Sequence, residues 1–198
     1  MYSREGVVDD EGSARLGEAW YRGPVILSWA DAQTAAQHRR DGRNVVLGGY
    51  FVRVNGSGSN AVAVVNTTTG GLVKAYPGFI MTRSHVTDIA VDSTGFYLAD
   101  EGDGPGVFDG RVAMDWSTLS QRWRDTCLGA TQSVLVWKGV LYSASHTHDC
   151  SSMGEYPDGA RHHLLAQSLT NPPTKLAWFP DTNEGMGEAI GPRDLAVA

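Results

Sequence analysis

The chain has 198 residues, 24 of them glycine, with 19% charged residues and a formal net charge of −6. Glycine at roughly 12%, against a usual ~7%, points to many turns. The acidic balance leaves no basic stripe to hold phosphates, so nucleic-acid binding is excluded as a class. No apolar run reaches the ~20 residues of a membrane helix.

Residues 1–43 read as an N-terminal extension. The first sixteen are polar and charged, and no apolar signal core is visible in MYSREGVVDDEGSARLGEAW. The stretch Ser28–Gly42 predicts a short helix. Ser28 can cap it, alanine is frequent, His38, Arg39 and Arg40 suit the negative C-terminal end, and Gly42 can stop it.

From Asn44 the pattern changes. Val45–Val54, Ala61–Val65 and Leu72–Tyr76 are short apolar runs separated by NGSGSN and NTTTGG. Runs rich in Val, Tyr and Phe between Gly/Asn/Thr breaks predict strands joined by tight turns, an antiparallel meander. The pattern recurs. A second unit runs through VTDIAVD (Val86–Asp92), GFYLAD, GRVAMDW and SQRWRD. A third runs through TQSVLVWKG (Thr131–Gly139), VLYSASH, HLLAQSL and KLAWF, and a fourth start is PRDLAVA (Pro192–Ala198). With Asp88, Gln132 and Asp194 aligned, the spacings are 44 and 62 residues, the longer holding the insertion Thr147–Arg161. Four short strands repeating at about 45 residues are the signature of a β-propeller blade. The expected fold is therefore all-β: residues 44–198 as a propeller-type array of about three blades, preceded by one helix.

These phrases also resemble a known family. GGYFVRVNG followed by AVAVVNTTTGGLV, then RDTCLGATQ (Arg124–Gln132), SHTHDC (Ser145–Cys150), PDGARHHLLAQSL and WFPDTNEGMGEAIGPRDLAVA, are similar to repeats of actinobacterial secreted or cell-surface β-propeller proteins. The resemblance covers about residues 44–198. It implies an extracellular or cell-surface setting and no particular reaction. Two departures are the unmatched first 43 residues and Val107, where a family-like cysteine would precede FDG.

The chemistry-bearing residues are few. Cys127 and Cys150 sit at strand boundaries of one unit and read as a disulfide, the alternative being two free buried thiols. His146 and His148 alternate on an extended chain, so they point to one side. With Asp149, His162 and His163 they form the densest titratable cluster and the candidate ligand-binding loop. His146, His148 and His162 are candidate zinc ligands, although no HExxH or CxxC pattern supports them. Asp100, Asp103 and Asp109 in DEGDGPGVFDG are candidate calcium ligands without EF-hand spacing. Trp116, Trp123, Trp137 and Trp178 fall on expected strands and read as packing between blades.

The sequence thus predicts a non-enzymatic binding or scaffolding module, with a protein or carbohydrate ligand and no certain cofactor. The alternative is a metal-dependent enzyme using His146, His148 and His162. About three blades fall short of the roughly 4–8 of known propellers, which leaves open strand edges competent for self-association. The first meander lacks an innermost strand, because the helix expected over Ser28–Gly42 occupies that place, and Asp194–Ala198 is an innermost strand with no meander after it; the chain is then an open arc of a larger propeller, or two copies pair head to tail to close a six-bladed ring.

Overall fold

The computed structural model of the chain describes residues 43–81, 83–182 and 191–197, together with the backbone of residues 14–16, 19–21 and 35–36. The described residues are all-β, with antiparallel pairing throughout and no α-helix. A hairpin of β1 (Ala14–Leu16) and β2 (Ala19–Tyr21) comes first.

Three sheets follow. The first joins β3 (Ala35–Ala36), β4 (Asn44–Gly49), β7 (Val62–Asn66) and β8 (Leu72–Ala75) in that order. The small hairpin β5 (Arg53–Val54) and β6 (Ser57–Gly58) is inserted between β4 and β7. The second sheet is the meander β9 (Ser84–Val91), β10 (Gly95–Gly102), β11 (Gly110–Asp115) and β12 (Gln121–Asp125). The third contains β13 (Thr131–Trp137), β14 (Val140–His148) and β15 (His162–Ser168). Its outer edge is met by residues 174–176: Ser168 N–H donates to Thr174 O, Leu176 N–H donates to Ala166 O, and Gln167 bridges to Lys175.

The helix expected over Ser28–Gly42 is not seen. Within that stretch Ala35 and Ala36 are strand, paired with Gly49 and Gly48, and the rest lies outside the described residues. Pairing with a neighbouring strand overrides the helical preference of alanine. The same observation corrects a second expectation: the first meander does not lack a fourth strand, because β3 pairs beside β4.

Turn chemistry recurs with the strands. Asn66 Oδ1 accepts the N–H groups of Thr68 and Thr69 after β7, and Asp115 Oδ1 accepts those of Ser117 and Thr118 after β11. Side-chain carbonyls that capture the next N–H groups set tight reversals without help from the core. The Ser117 and Thr118 bonds, that of the Ser117 hydroxyl foremost, hold the Asp115 carboxyl down to about 2.

Alternation along the strands builds two junctions between sheets. Val46, Val62 and Val64 of the first sheet pack with Val86, Ile89, Phe96, Leu98, Val112 and Met114 of the second. On the second sheet's opposite face, Ala90, Tyr97, Ala99, Ala113 and Trp123 pack with Val134 and Leu141 of the third. Each large buried side chain contributes roughly 1.5–3 kcal/mol of apolar burial. Gly48 marks the closest approach of the first two sheets, because a Cβ there would lie 2.5 Å from Val86 Cγ1.

The second and third sheets repeat one irregularity. Ala99 faces Asp88 and Asp100 faces Val86, skipping Thr87, while Ala144 faces Ser133 and Ser145 faces Thr131, skipping Gln132. This shared bulge makes Asp88 equivalent to Ser133, one residue from the Gln132 expected from sequence. Asp88 ties the sheets together. Its Oδ1 accepts Ile89 N–H at 2.7 Å, and its Oδ2 accepts Ser133 Oγ–H and Val134 N–H, both at 2.9 Å. Asp194 makes the same local bond, Leu195 N–H to Oδ1 at 2.8 Å, as the DLAV and DIAV phrases suggest.

The two cysteines are bonded, Cys127 to Cys150, closing a span of 23 residues. Nearby, Arg111 is fully buried. Its guanidinium donates to Asp125 Oδ1 (2.7 Å), Cys127 O (2.6 Å), Gln167 Oε1 (2.9 Å) and Thr131 Oγ1 (3.3 Å). One side chain therefore ties the second sheet to the third.

Candidate functional site

The repeated bulge determines which side chains gather where β10 and β14 end. Beyond it, β10 continues as Asp100–Glu101 and β14 as Ser145–His146, so Glu101 and His146 occupy equivalent places on adjacent sheets. They meet: His146 Nε2 lies 4.0 Å from Glu101 Oε1. Gln132, the bulge residue of β13, donates from Nε2 to Glu101 Oε2 at 2.9 Å. His148 stacks beside His146, with ring centroids 6.1 Å apart. Gly129, at φ +64, makes room for it, since a Cβ there would lie 2.5 Å from His148 Cδ2.

Asp109 approaches from the loop before β11 and accepts the Gly102 N–H. Burial pushes its carboxyl up and the Gly102 bond opposes that. Glu101 adds to the rise, while the His148 and His146 rings draw it back. On the side of the first sheet, Tyr50 and His85 make an edge contact at 5.9 Å. One end of the stacked sheets thus presents a carboxylate, an amide and two imidazoles held by strands.

The remaining predicted residues lie elsewhere. His148 and His162 are register partners on β14 and β15, yet the His162 ring does not join His146 and His148. It is buried against Tyr156 and Phe179, at centroid distances of 4.3 and 5.2 Å, and its Nε2 meets Asp158 Oδ2 at 3.0 Å. His163 is also buried, with Nδ1 3.5 Å from Thr182 Oγ1. Asp149 is exposed and holds the turn after β14, accepting the Ser151 N–H and hydroxyl; these bonds hold its carboxyl below its ordinary value. Asp103 is exposed, and its N–H donates to Arg83 O.

Asp100 is fully buried, and neither of its oxygens has a hydrogen-bond partner among the described residues. Burial raises its carboxyl well above the ordinary value, Arg124 opposes the rise and Asp109 adds to it. The expected groups His146/His148/His162 and Asp100/Asp103/Asp109 therefore do not assemble as such. Among the described residues no three or more His, Cys, Asp or Glu side chains are placed to hold a metal ion. Glu101 and Gln132 escaped the sequence reading, although superposing GFYLADE on VLYSASH puts Glu101 over His146.

A family model described as glucose-regulated metallo-peptidase M90 matches residues 1–48, about a quarter of the chain, and ends before every residue of the Glu101–His146 group. No curated protein matches the chain.

Proposed function

We propose that this chain is a non-enzymatic, propeller-type repeat module. It binds a polar protein or carbohydrate ligand through Glu101, Gln132, His146 and His148. The observation that carries the reading is the meeting of Glu101 and His146 from equivalent positions on adjacent sheets. Loops and strand ends on a rigid scaffold commonly carry recognition, and a carboxylate beside imidazoles offers directed donors and acceptors. Three further features support a propeller arrangement akin to the actinobacterial surface proteins: the strand order, the shared bulge and the inter-sheet bonds of Asp88. The disulfide favours an oxidising, extracellular or surface setting.

The test is binding to immobilised cell-envelope glycans and surface proteins by the native chain and by a Glu101→Ala/His146→Ala/His148→Ala variant. We expect binding to fall at least tenfold, roughly the loss of one or two charged hydrogen bonds, with the melting temperature nearly unchanged. His162→Ala is expected to do the reverse, destabilising the fold while sparing binding. Undiminished binding by the triple variant would refute the site.

The metallo-peptidase match over residues 1–48 is the one observation favouring a second reading, a metal-dependent enzyme. Elemental analysis of purified protein distinguishes the two. Stoichiometric zinc or manganese, lost in His146→Ala/His148→Ala, would favour the enzyme.

A further inference from the structure

β4, β10 and β14 hold the same place in their sheets, each paired on both sides. Gly48 and Gly49 of β4 pair with Ala36 and Ala35 of β3, as Ala99 and Asp100 pair with Asp88 and Val86, and Ala144 and Ser145 with Ser133 and Thr131. Gly48 packs against Val86 of the next sheet, and Ala99 packs among Val134 and Leu141 of the one after. The residue after Gly49 that matches Glu101 and His146 is therefore Tyr50.

Tyr50 is joined to the Glu101–His146 group through His85. Its ring meets His85 edge-on at 5.9 Å, and His85 is the register partner of Glu101 across β9 and β10. Register partners on antiparallel strands share a face. The backbone on both sides of Tyr50 is pinned, with Gly49 N–H donating to Ala61 O at 2.9 Å and Ala61 N–H donating to Phe51 O at 2.8 Å. Gly49 and Phe51 are buried, yet Tyr50 is 40% exposed. A ring held out from a fixed backbone offers contact area at low cost in conformational freedom.

We propose that a chain of sugars lies along this row, with one ring stacked on Tyr50 and a neighbour hydrogen-bonded by Glu101, Gln132 and His146. The proposal rests on reading the Glu101–His146 group as the recognition site, and it narrows the ligand to an oligosaccharide. A sugar hydroxyl both donates and accepts, so it can donate to the Glu101 carboxylate and accept from the second N–H of the Gln132 amide. The C–H face of a sugar ring suits the electron-rich face of tyrosine. A peptide added as an extra strand needs an open edge, which β4, β10 and β14 do not have. The row crosses three sheets, so it fits several linked sugars better than one.

A glycan array graded in chain length, with a peptide array beside it, tests the native chain, Tyr50→Ala and Tyr50→Phe. Oligosaccharides are expected to be retained, more tightly as they lengthen beyond a single sugar. Tyr50→Ala should weaken the best of them about three- to tenfold, the size of one ring-stacking contact, with an unchanged melting temperature. Tyr50→Phe should keep native affinity. Equal losses in the two variants would assign the effect to the hydroxyl and overturn the stacking. Glycan binding that Tyr50→Ala leaves intact would overturn the proposal; if Glu101→Ala/His146→Ala/His148→Ala still removed that binding, the polar group would stand as the site without Tyr50. Retention of peptides and no glycans would overturn the carbohydrate assignment while keeping a binding module. Retention of neither would remove both readings.

Discussion

Asp100 bears a carboxyl that has lost its water and, among the described residues, gained no hydrogen bond in return. Burial favours the protonated form, so its folded value lies well above the ordinary 3.8. The folded chain therefore holds this proton more tightly than the unfolded chain. The associated stability is fully present below about pH 3.8 and is lost as pH rises through the folded value. Asp100→Asn keeps the shape and removes the titration. We expect it to melt a few degrees higher than the native chain at pH 8, with the gap narrowing toward pH 4. Thermal melts at several pH values check this; a gap that widens on acidification would contradict it. At this scale the sequence was partly legible. His146 and His148 are adjacent because alternation along one strand puts them there. His162 could not be excluded from the group by reading, because its partners Tyr156 and Phe179 come from a loop and a distant segment.

At the scale of elements, Asp88 and Arg111 are buried side chains that couple the second and third sheets. Arg111 is satisfied by four acceptors, one of them the carboxylate of Asp125. Replacing it with alanine leaves that buried carboxylate without its cation. Loss of one partner of a buried pair typically costs about 3–5 kcal/mol. Asp88→Ala leaves the Val134 N–H and Ser133 hydroxyl unmet across the junction, a loss of about 1–3 kcal/mol. Chemical denaturation of both variants measures the two costs. Equal, negligible effects would show that apolar packing alone joins the sheets. The strands and their order were readable from Val-rich runs and Asn/Asp–Thr–Gly turns. The strand at Ala35–Ala36 was not, because its sequence favours a helix and only pairing with Gly48 and Gly49 makes it a strand.

For the whole molecule, the sequence showed that the units repeat but not how many surfaces they leave open. Trp123 and Trp178 sit in similar phrases, yet one is buried and the other exposed. Val134 and Leu141 of the third sheet cover Trp123, whereas among the described residues no further sheet packs over Trp178, a difference that no local pattern encodes. The disulfide was legible as a pair because only two cysteines exist. Its loop of 23 residues stabilises the chain by about 3 kcal/mol through restriction of the unfolded state. Reduction should lower the free energy of unfolding by that order, and alkylation of the native chain should find no reactive thiol until reductant is added.

The meander order has a kinetic consequence. Within the second and third sheets strands pair only with their neighbours in sequence, so each ladder can close without waiting for a remote segment. The Asp88–Val134 and Arg111–Gln167 bonds, which reach 46 and 56 residues along the chain, can form only after both sheets exist. Sheets should therefore appear before the junctions between them. Arg111→Ala and Asp88→Ala should speed unfolding far more than they slow folding, whereas a change in the β9–β10 turn at Asp92 should act chiefly on the folding rate.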